Sequence, residues 1–503
     1  MRITNNIIRS NTKTNINSNK TTLDTLNSQM SSQKKISRPS EDPVVAIRAL
    51  RLRSSLSQIN QYYEKNIPDA ESWLEVTETA LNNMKKVLTD IHTQCVNGAT
   101  GTLTEEDRNT ILKQLKALEE QVYSEGDSDY AGRTVFTGYK TNDTLTFQSD
   151  SEDSYTIKEY LSYEDIEEFT YGYGRVETPT ASDVSGQSAV NAPGQTTVSR
   201  LRLAYNNITA LTDGELKYSY QDDTGATVED TLSVTEMTTA DLESMSYVVP
   251  DDEVIFNKDT GEFLLGKNVA SDLNSKHATL SVTYDKTGFD KGEIKPENYY
   301  DCTNTTDPVN PIEFTNYDAD GKRINQDIEY TIAANQTLIV NTQANDVFDS
   351  DIKRDVNDLV NAVQDAISAH DTVTAIKSMM KEERYSDDVS KAYLEKCLNA
   401  ANKQADYADA RLEKLFSKGV GKFDGYMSDV NIAITDVGSK GQRLAITKTR
   451  MSNQQMTVDS LKSDNEDREL SDIVIDYTAS YTAYQASLQA AAKLERQTLL
   501  DYL

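Results

Sequence analysis

Ser31-Ser32-Gln33-Lys34-Lys35-Ile36-Ser37-Arg38-Pro39-Ser40-Glu41-Asp42-Pro43 separates two helical patterns of different character. Pro39 and Pro43 lack amide protons and push Arg38 and Asp42 toward extended conformations, so a helix arriving through Leu26 and Met30 stops here. Ser40 or Asp42 can cap the next helix, Glu41 and Asp42 suit its positive N-terminus, and Pro43 fits its first turn. The stretch is therefore a joint. An ordinary helix-loop-helix turn carries the same punctuation, so its flanks must supply the meaning.

Upstream, Leu23, Leu26 and Met30 form a thin apolar stripe at helical spacing within a run of Asn, Thr and Ser. Such a stripe cannot offset roughly 1 to 2 kcal/mol of backbone entropy per ordered residue. The segment is expected to stay disordered until a partner helix arrives. Downstream the pattern strengthens through Val45, Leu52 and Ile59, then Ala70, Leu74, Thr77, Leu81, Met84, Leu88 and Ile91, the three-and-four spacing of a coiled coil. Pro68 marks a kink or a second helix start, and Trp73, the sole tryptophan, reads as a core anchor. Thr104 and Asp107 suggest a capping box, and Tyr130 to Phe147 a hairpin.

From about 150 to 345 the chain is acidic, rich in Thr and Tyr and punctuated by turn residues, so it is expected to be mostly strand. Asp222 to Gly225 and Asn257 to Gly261 read as hairpin turns, and Glu177 to Gln195 as a long loop. Asp318-Ala319-Asp320-Gly321 lacks the spacing of a calcium loop and reads as a plain turn. Helix returns near Asp351 and in a tract from about Asp387 to Leu444. At the end, Leu470, Val474, Tyr477, Tyr481, Tyr484, Leu488 and Ala491 make an apolar seam with no helix adjacent in sequence to cover it.

The expected fold is therefore α+β: a long antiparallel helical bundle or coiled coil built from both chain ends, with an inserted β-rich domain. Residues 1–43 and 450–503 are read as terminal helices that fold on assembly. Residues 44–149 and 346–449 are read as a helical rod with a hairpin, and 150–345 as a surface-exposed insert. The expected assembly interface comprises Leu23, Leu26, Met30, Leu470, Val474, Tyr477, Tyr481, Tyr484 and Leu488, and the joint motif comprises Arg38, Pro39, Ser40, Asp42 and Pro43.

Composition limits the function. The 503 residues have 37% hydrophobic side chains and a mean hydropathy of -0.61, lean for a single compact globule. A net charge of -30 argues against a nucleic-acid binder, although the first fifty or so residues are basic and can attract an acidic neighbour. No apolar run long enough to cross a membrane is present, and the N-terminus does not read as a secretory signal peptide. Three scattered cysteines make neither a disulfide framework nor a zinc site, and the three histidines fit no zinc-protease pattern. No nucleophile elbow or phosphate-binding loop occurs. No enzyme, cofactor or metal is expected.

The joint resembles the SSGKRINRPSDDP motif of the bacterial flagellin superfamily, with Gln33 at the usual Gly and Glu41 at the first Asp. Gln33 puts a left-handed turn there in doubt. Val44 to Leu56, Gly132 to Thr141 and Leu470 to Leu503 are similar to the same superfamily. Met1-Arg2-Ile3-Thr4, Ser72-Trp73-Leu74, Arg133 to Thr141 and the terminal Asp501-Tyr502-Leu503 favour its hook-associated branch at the hook-filament junction, the distal of two junction proteins, over flagellin itself. That resemblance implies uncleaved export through the flagellar type III apparatus, a chaperone before export, and an extracellular place in the flagellum. Its implied partners are the proximal junction protein, flagellin and further copies of the chain in a ring. A filament subunit and, more distantly, an adhesin-like binding module on a stalk are the alternatives.

Overall fold

The computed structural model describes residues 5–100, 103–222, 224–318 and 321–496. Its helices are α1 (Asn5–Ser32), α2 (Pro43–Gln61), α3 (Ile67–Gly98), α4 (Glu105–Glu119), α5 (Ala181–Gly186), α6 (Thr239–Ser244), α7 (Lys267–Ser275), α8 (Asp351–Met379), α9 (Asp388–Glu466) and α10 (Leu470–Arg496). The chain forms two compact units. One comprises Met1–Glu71, Tyr330–Leu338 and Gly441–Leu503, and the other Ser72–Glu329 with Ile339–Lys440. The bundle from both chain ends and the inserted sheet are thus both present. Helix α9 runs unbroken through position 450.

In the first unit, α1 packs along α10. A π-helical turn, Tyr62–Asn66, joins α2 to α3 without a break, and Pro68 is the second residue of α3, just past that turn. The stretch Tyr330–Leu338 returns to these helices. Tyr330 Oη donates to Asp69 Oδ2 at 2.7 Å, and Asn66 Nδ2 donates to the carbonyl of Thr331 at 2.7 Å. Arg450 NH2 donates to Gln336 Oε1 at 2.5 Å.

The second unit begins beside Trp73, fully buried and packed edge-on against Tyr130 with the Arg133 guanidinium 5.1 Å over its ring. The capping box between Thr104 and Asp107 opens α4, which lies against α8. The hairpin expected over Tyr130 to Phe147 shrinks to two two-residue strands, β1 (Asp129–Tyr130) and β2 (Arg133–Thr134), paired across Ala131 and Gly132, both at positive φ. Beyond Thr134 the backbone turns instead, because the Thr134 hydroxyl donates to the Asp143 carbonyl at 2.8 Å.

The remaining strands are β3 (Ser151–Ser162), β4 (Glu167–Tyr173), β5 (Gly194–Arg202), β6 (Ala210–Leu211), β7 (Glu215–Gln221), β8 (Thr227–Met237), β9 (Val254–Asn257), β10 (Glu262–Leu265), β11 (Thr279–Phe289), β12 (Asp301–Asn304), β13 (Ile312–Phe314), β14 (Glu329–Ala333) and β15 (Gln336–Ile339). The main sheet runs β13-β12-β3-β11-β7-β8-β9-β10-β5-β4, with β6 also on β11, and is antiparallel except where β8 meets β9. Both hairpins read from turn residues are there, β7/β8 and β9/β10. The stretch read as a long loop contains the short α5 and the start of β5. Cys95, Cys302 and Cys397 are buried free thiols, and burial pushes Cys95 up to about 12.

Period-two patterning buries Tyr155, Ile157 and Glu159 on β3 and Leu280, Val282, Tyr284 and Lys286 on β11. Sheet and helices are bound by buried charge. Arg200 and Arg202 on β5 meet Asp358 and Asp355 on α8 at 2.8 and 2.7 Å. Lys422 on α9 reaches Asp355 at 2.8 Å and Glu167 at 3.1 Å. Burial alone would raise the Glu167 carboxyl, but Arg200 and Lys422 hold it well below the usual carboxylate range. Removing one partner of such a network strands the others, so Arg202→Met should destabilise this unit by about 3–5 kcal/mol in chemical denaturation.

Glu159 is fully buried and accepts from Tyr284 Oη at 2.8 Å and the Ala204 amide at 3.1 Å. Burial raises its carboxyl to about 8. The folded state therefore holds a proton that the unfolded state releases above about 4.3, and stability falls as pH rises from there toward 8. Glu159→Gln, which keeps a neutral group, should narrow the stability difference between pH 5 and pH 8 in denaturant titrations.

Candidate functional site

The structure builds the joint from two distant stretches of chain. Asp42 caps α2, its Oδ1 accepting from the amides of Val44 and Val45 at 2.9 and 3.1 Å, and Pro43 takes the first position. Glu41 Oε2 accepts from the Ser37 amide at 2.7 Å, folding the loop on itself. Arg38, Pro39 and Ser40 are exposed at its tip. Gln33 sits at φ 55, the left-handed region that the absence of glycine had put in doubt.

Opposite this loop lies the break between α9 and α10. The Lys35 amide donates to the Glu466 carbonyl at 2.7 Å, and the Arg468 amide donates to the Gln33 carbonyl at 3.0 Å, a short antiparallel bridge centred on Lys34 and Asp467. Side chains close it. Arg53 grips Glu466 bidentately at 2.7 and 2.6 Å, and Lys34 binds Asp467 with Glu466 at 3.7 Å. Asn465 Nδ2 donates to the Val45 carbonyl at 3.1 Å, and Arg468 NH1 donates to Gln29 Oε1 at 2.7 Å. Glu466 is only 4% exposed.

Hydrogen bonding from Arg53 lowers the Glu466 carboxyl, and hydrogen bonding from Lys34 lowers that of Asp467. Their contribution to stability is present above the ordinary carboxylate range and lost as pH falls through the lowered folded values. Part of the basic charge read near the N-terminus is thus engaged within the chain. The sequence reading missed Lys34, Arg53 and Asn465 to Arg468 as site residues. A signal was there: Ser463 to Glu469 is a polar run that interrupts the apolar pattern between Leu461 and Leu470.

The terminal helices meet through a shifted seam. On α1, Leu26 is buried, while Leu23 and Met30 are half-buried. On α10, Ile473 is buried, and Tyr477, Ser480, Tyr484, Ser487 and Ala491 are half-buried at alternating steps of four and three. Of the seam read from sequence, Tyr477 and Tyr484 lie on this face, whereas Leu470, Val474, Tyr481 and Leu488 are exposed. Small serines fit against the polar α1, with Asn19 Nδ2 donating to Ser487 Oγ at 3.3 Å. Val44, Ile47 and Leu50 on α2 are also exposed. Among the described residues no cluster of metal-ligating side chains and no helix apolar enough to cross a membrane occurs.

The α1/α10 pair is thus tied back at a Pro-flanked joint. Residues 3–141 match the family model described as the bacterial flagellin N-terminal helical region. The chain is similar to flagellar hook-associated protein 3 of Salmonella typhimurium, 30% identical over 117 residues, or 23% of this chain and 37% of that relative. Escherichia coli flagellin is 25% identical over 195 residues, 38% of each chain. The matches thus span well under half of these relatives. The crystal structure of the flagellar junction protein FlgL from Legionella pneumophila aligns over 84% of this chain and all of that one, with 12% identity and a TM-score of 0.29.

Because a left-handed residue other than glycine carries a penalty of about 1–2 kcal/mol, Gln33→Gly should stabilise the joint by about 1 kcal/mol. Slower amide exchange at Lys35 and Arg468 would register it. Glu466→Gln should speed exchange at the same amides at pH 7, with the difference narrowing as pH falls through the lowered Glu466 value.

Proposed function

We propose that this chain is a structural adaptor of the bacterial flagellum, joining the hook, through a proximal junction protein, to the flagellin filament. In this reading it leaves the cell through the flagellar export apparatus, held by a chaperone before export, and sits in a ring of its own copies. The observation that carries the reading is the unsatisfied apolar stripe on the α1/α10 pair. Val474, Tyr481 and Leu488 are 44, 45 and 42% exposed on one face of α10.

Energetics support assembly over self-sufficiency. Helices of 28 and 27 residues with polar faces depend on tertiary packing, yet Leu26 and Ile473 are their only buried apolar side chains among the described residues. Two such side chains contribute about 1.5–3 kcal/mol each. Neighbouring subunits that cover Val474, Tyr481 and Leu488 would supply the missing burial, so the pair is proposed to order fully on incorporation.

A filament subunit is the second reading, favoured by the longer match to flagellin. Adding purified protein to hooks separates the two. The adaptor reading expects a soluble protein that joins only hook tips already bearing the proximal junction protein. Long filaments from the protein alone would establish the other. Val474→Ala, Tyr481→Ala and Leu488→Ala together should abolish joining and leave the β-sheet unit's unfolding transition unchanged.

A further inference from the structure

We propose that a cleft in the β-sheet unit, walled by β4, α8 and α9, binds an uncharged saccharide residue, independently of the assembly reading. Its volume is about 370 Å³, at the small end of ligand sites. The wall comes from Tyr171-Gly172-Tyr173-Gly174-Arg175, where tyrosine alternates with glycine along the edge strand. A Cβ at Gly194 would lie 2.3 Å from the Tyr173 ring, and one at Gly172 would lie 2.9 Å from Arg411 NH1. Glycine at 194 lets the Tyr173 ring lie against the backbone, and Gly172 leaves room for the Arg411 guanidinium.

The chemistry of the lining selects the ligand class. Every guanidinium in the cleft is matched by carboxylate. Arg175 and Arg411 share Asp365, and Arg200 is held by Glu167, Glu262 and Asp358. No lining guanidinium is left over for an anion, and the exposed carboxylate of Glu243 would repel one. Two of the aromatic rings are already covered, Tyr171 by Tyr247 at 4.5 Å and Phe169 by the Arg200 guanidinium at 3.7 Å. The half-buried Tyr173 rests against Gly194, and Tyr407 carries the Lys403 ammonium 5.3 Å over its ring, so each offers the cleft a ring edge or second face and a free hydroxyl, and the exposed Asn361 adds a free carboxamide. Aromatic surface beside hydroxyl and amide groups suits a ring that has apolar C–H faces and a hydroxyl rim. Glu262, Asp358 and Asp365 are held in ion pairs, which leaves Glu243 as the one unpaired carboxylate among the lining residues, short of the carboxylate pair that glycoside hydrolysis uses.

Saturation-transfer NMR on the full chain with galactose, mannose and N-acetylglucosamine tests the proposal, with N-acetylneuraminate as the anionic comparison. At least one neutral sugar should bind, and Tyr407→Ala and Asn361→Ala should each weaken it about tenfold, or 1.4 kcal/mol, with melting unchanged. Asn361 is exposed, so its variant carries the test should Tyr407→Ala fold poorly. No binding by the three neutral sugars, binding that survives Asn361→Ala, or preference for N-acetylneuraminate would each overturn the proposal.

Discussion

The unit built from the two chain ends depends on one buried carboxylate. Glu466 sits at the end of the 79-residue α9, with Arg53 on both oxygens and Lys34 close by, and its carbonyl accepts from the Lys35 amide. Side chain and backbone thus bind residues more than four hundred positions apart. With that contact made, α1 leaves the joint antiparallel to α10, and α2 leaves it capped by Asp42. The two prolines supply no energy of their own here. They keep the loop out of helix so that its backbone groups are free to pair across the chain.

Much of this was legible in the sequence because it is local. Prolines, an acidic cap and alternating three-and-four spacing are read without knowing what lies across the contact. The joint's helix stop and start, the Thr104 capping box and the hairpins around Asp222 to Gly225 and Asn257 to Gly261 belong to that class. The seam on α10 was legible in period but not in phase. Apolar count favours Leu470, Val474, Tyr481 and Leu488, whereas the partner's polarity turns Ser480 and Ser487 inward. Choosing the face requires knowing α1.

The contacts that could not be read are those between distant charges. Nothing marks Arg200 and Arg202 apart from the other basic residues, yet they lock strand β5 to α8. In a chain with 81 Asp and Glu, Asp355, Asp358 and Glu466 look like ordinary surface residues. Burial is decided by topology, and an acidic composition conceals which carboxylates it selects. The aromatic cleft is hidden for a related reason, since part of its wall comes from α8 and α9, which follow β4 by more than 150 residues.

The central claim is that the joint fixes how α1 and α10 meet, while subunit contacts complete their burial. Hydrogen exchange of the free chain, compared with the same chain incorporated at hook tips, tests it most directly. The account predicts fast exchange along α1 and α10 in the free chain, slower exchange at the Lys35 and Arg468 amides, and strong protection of both helices after incorporation. Full protection of both helices in the free chain would contradict it.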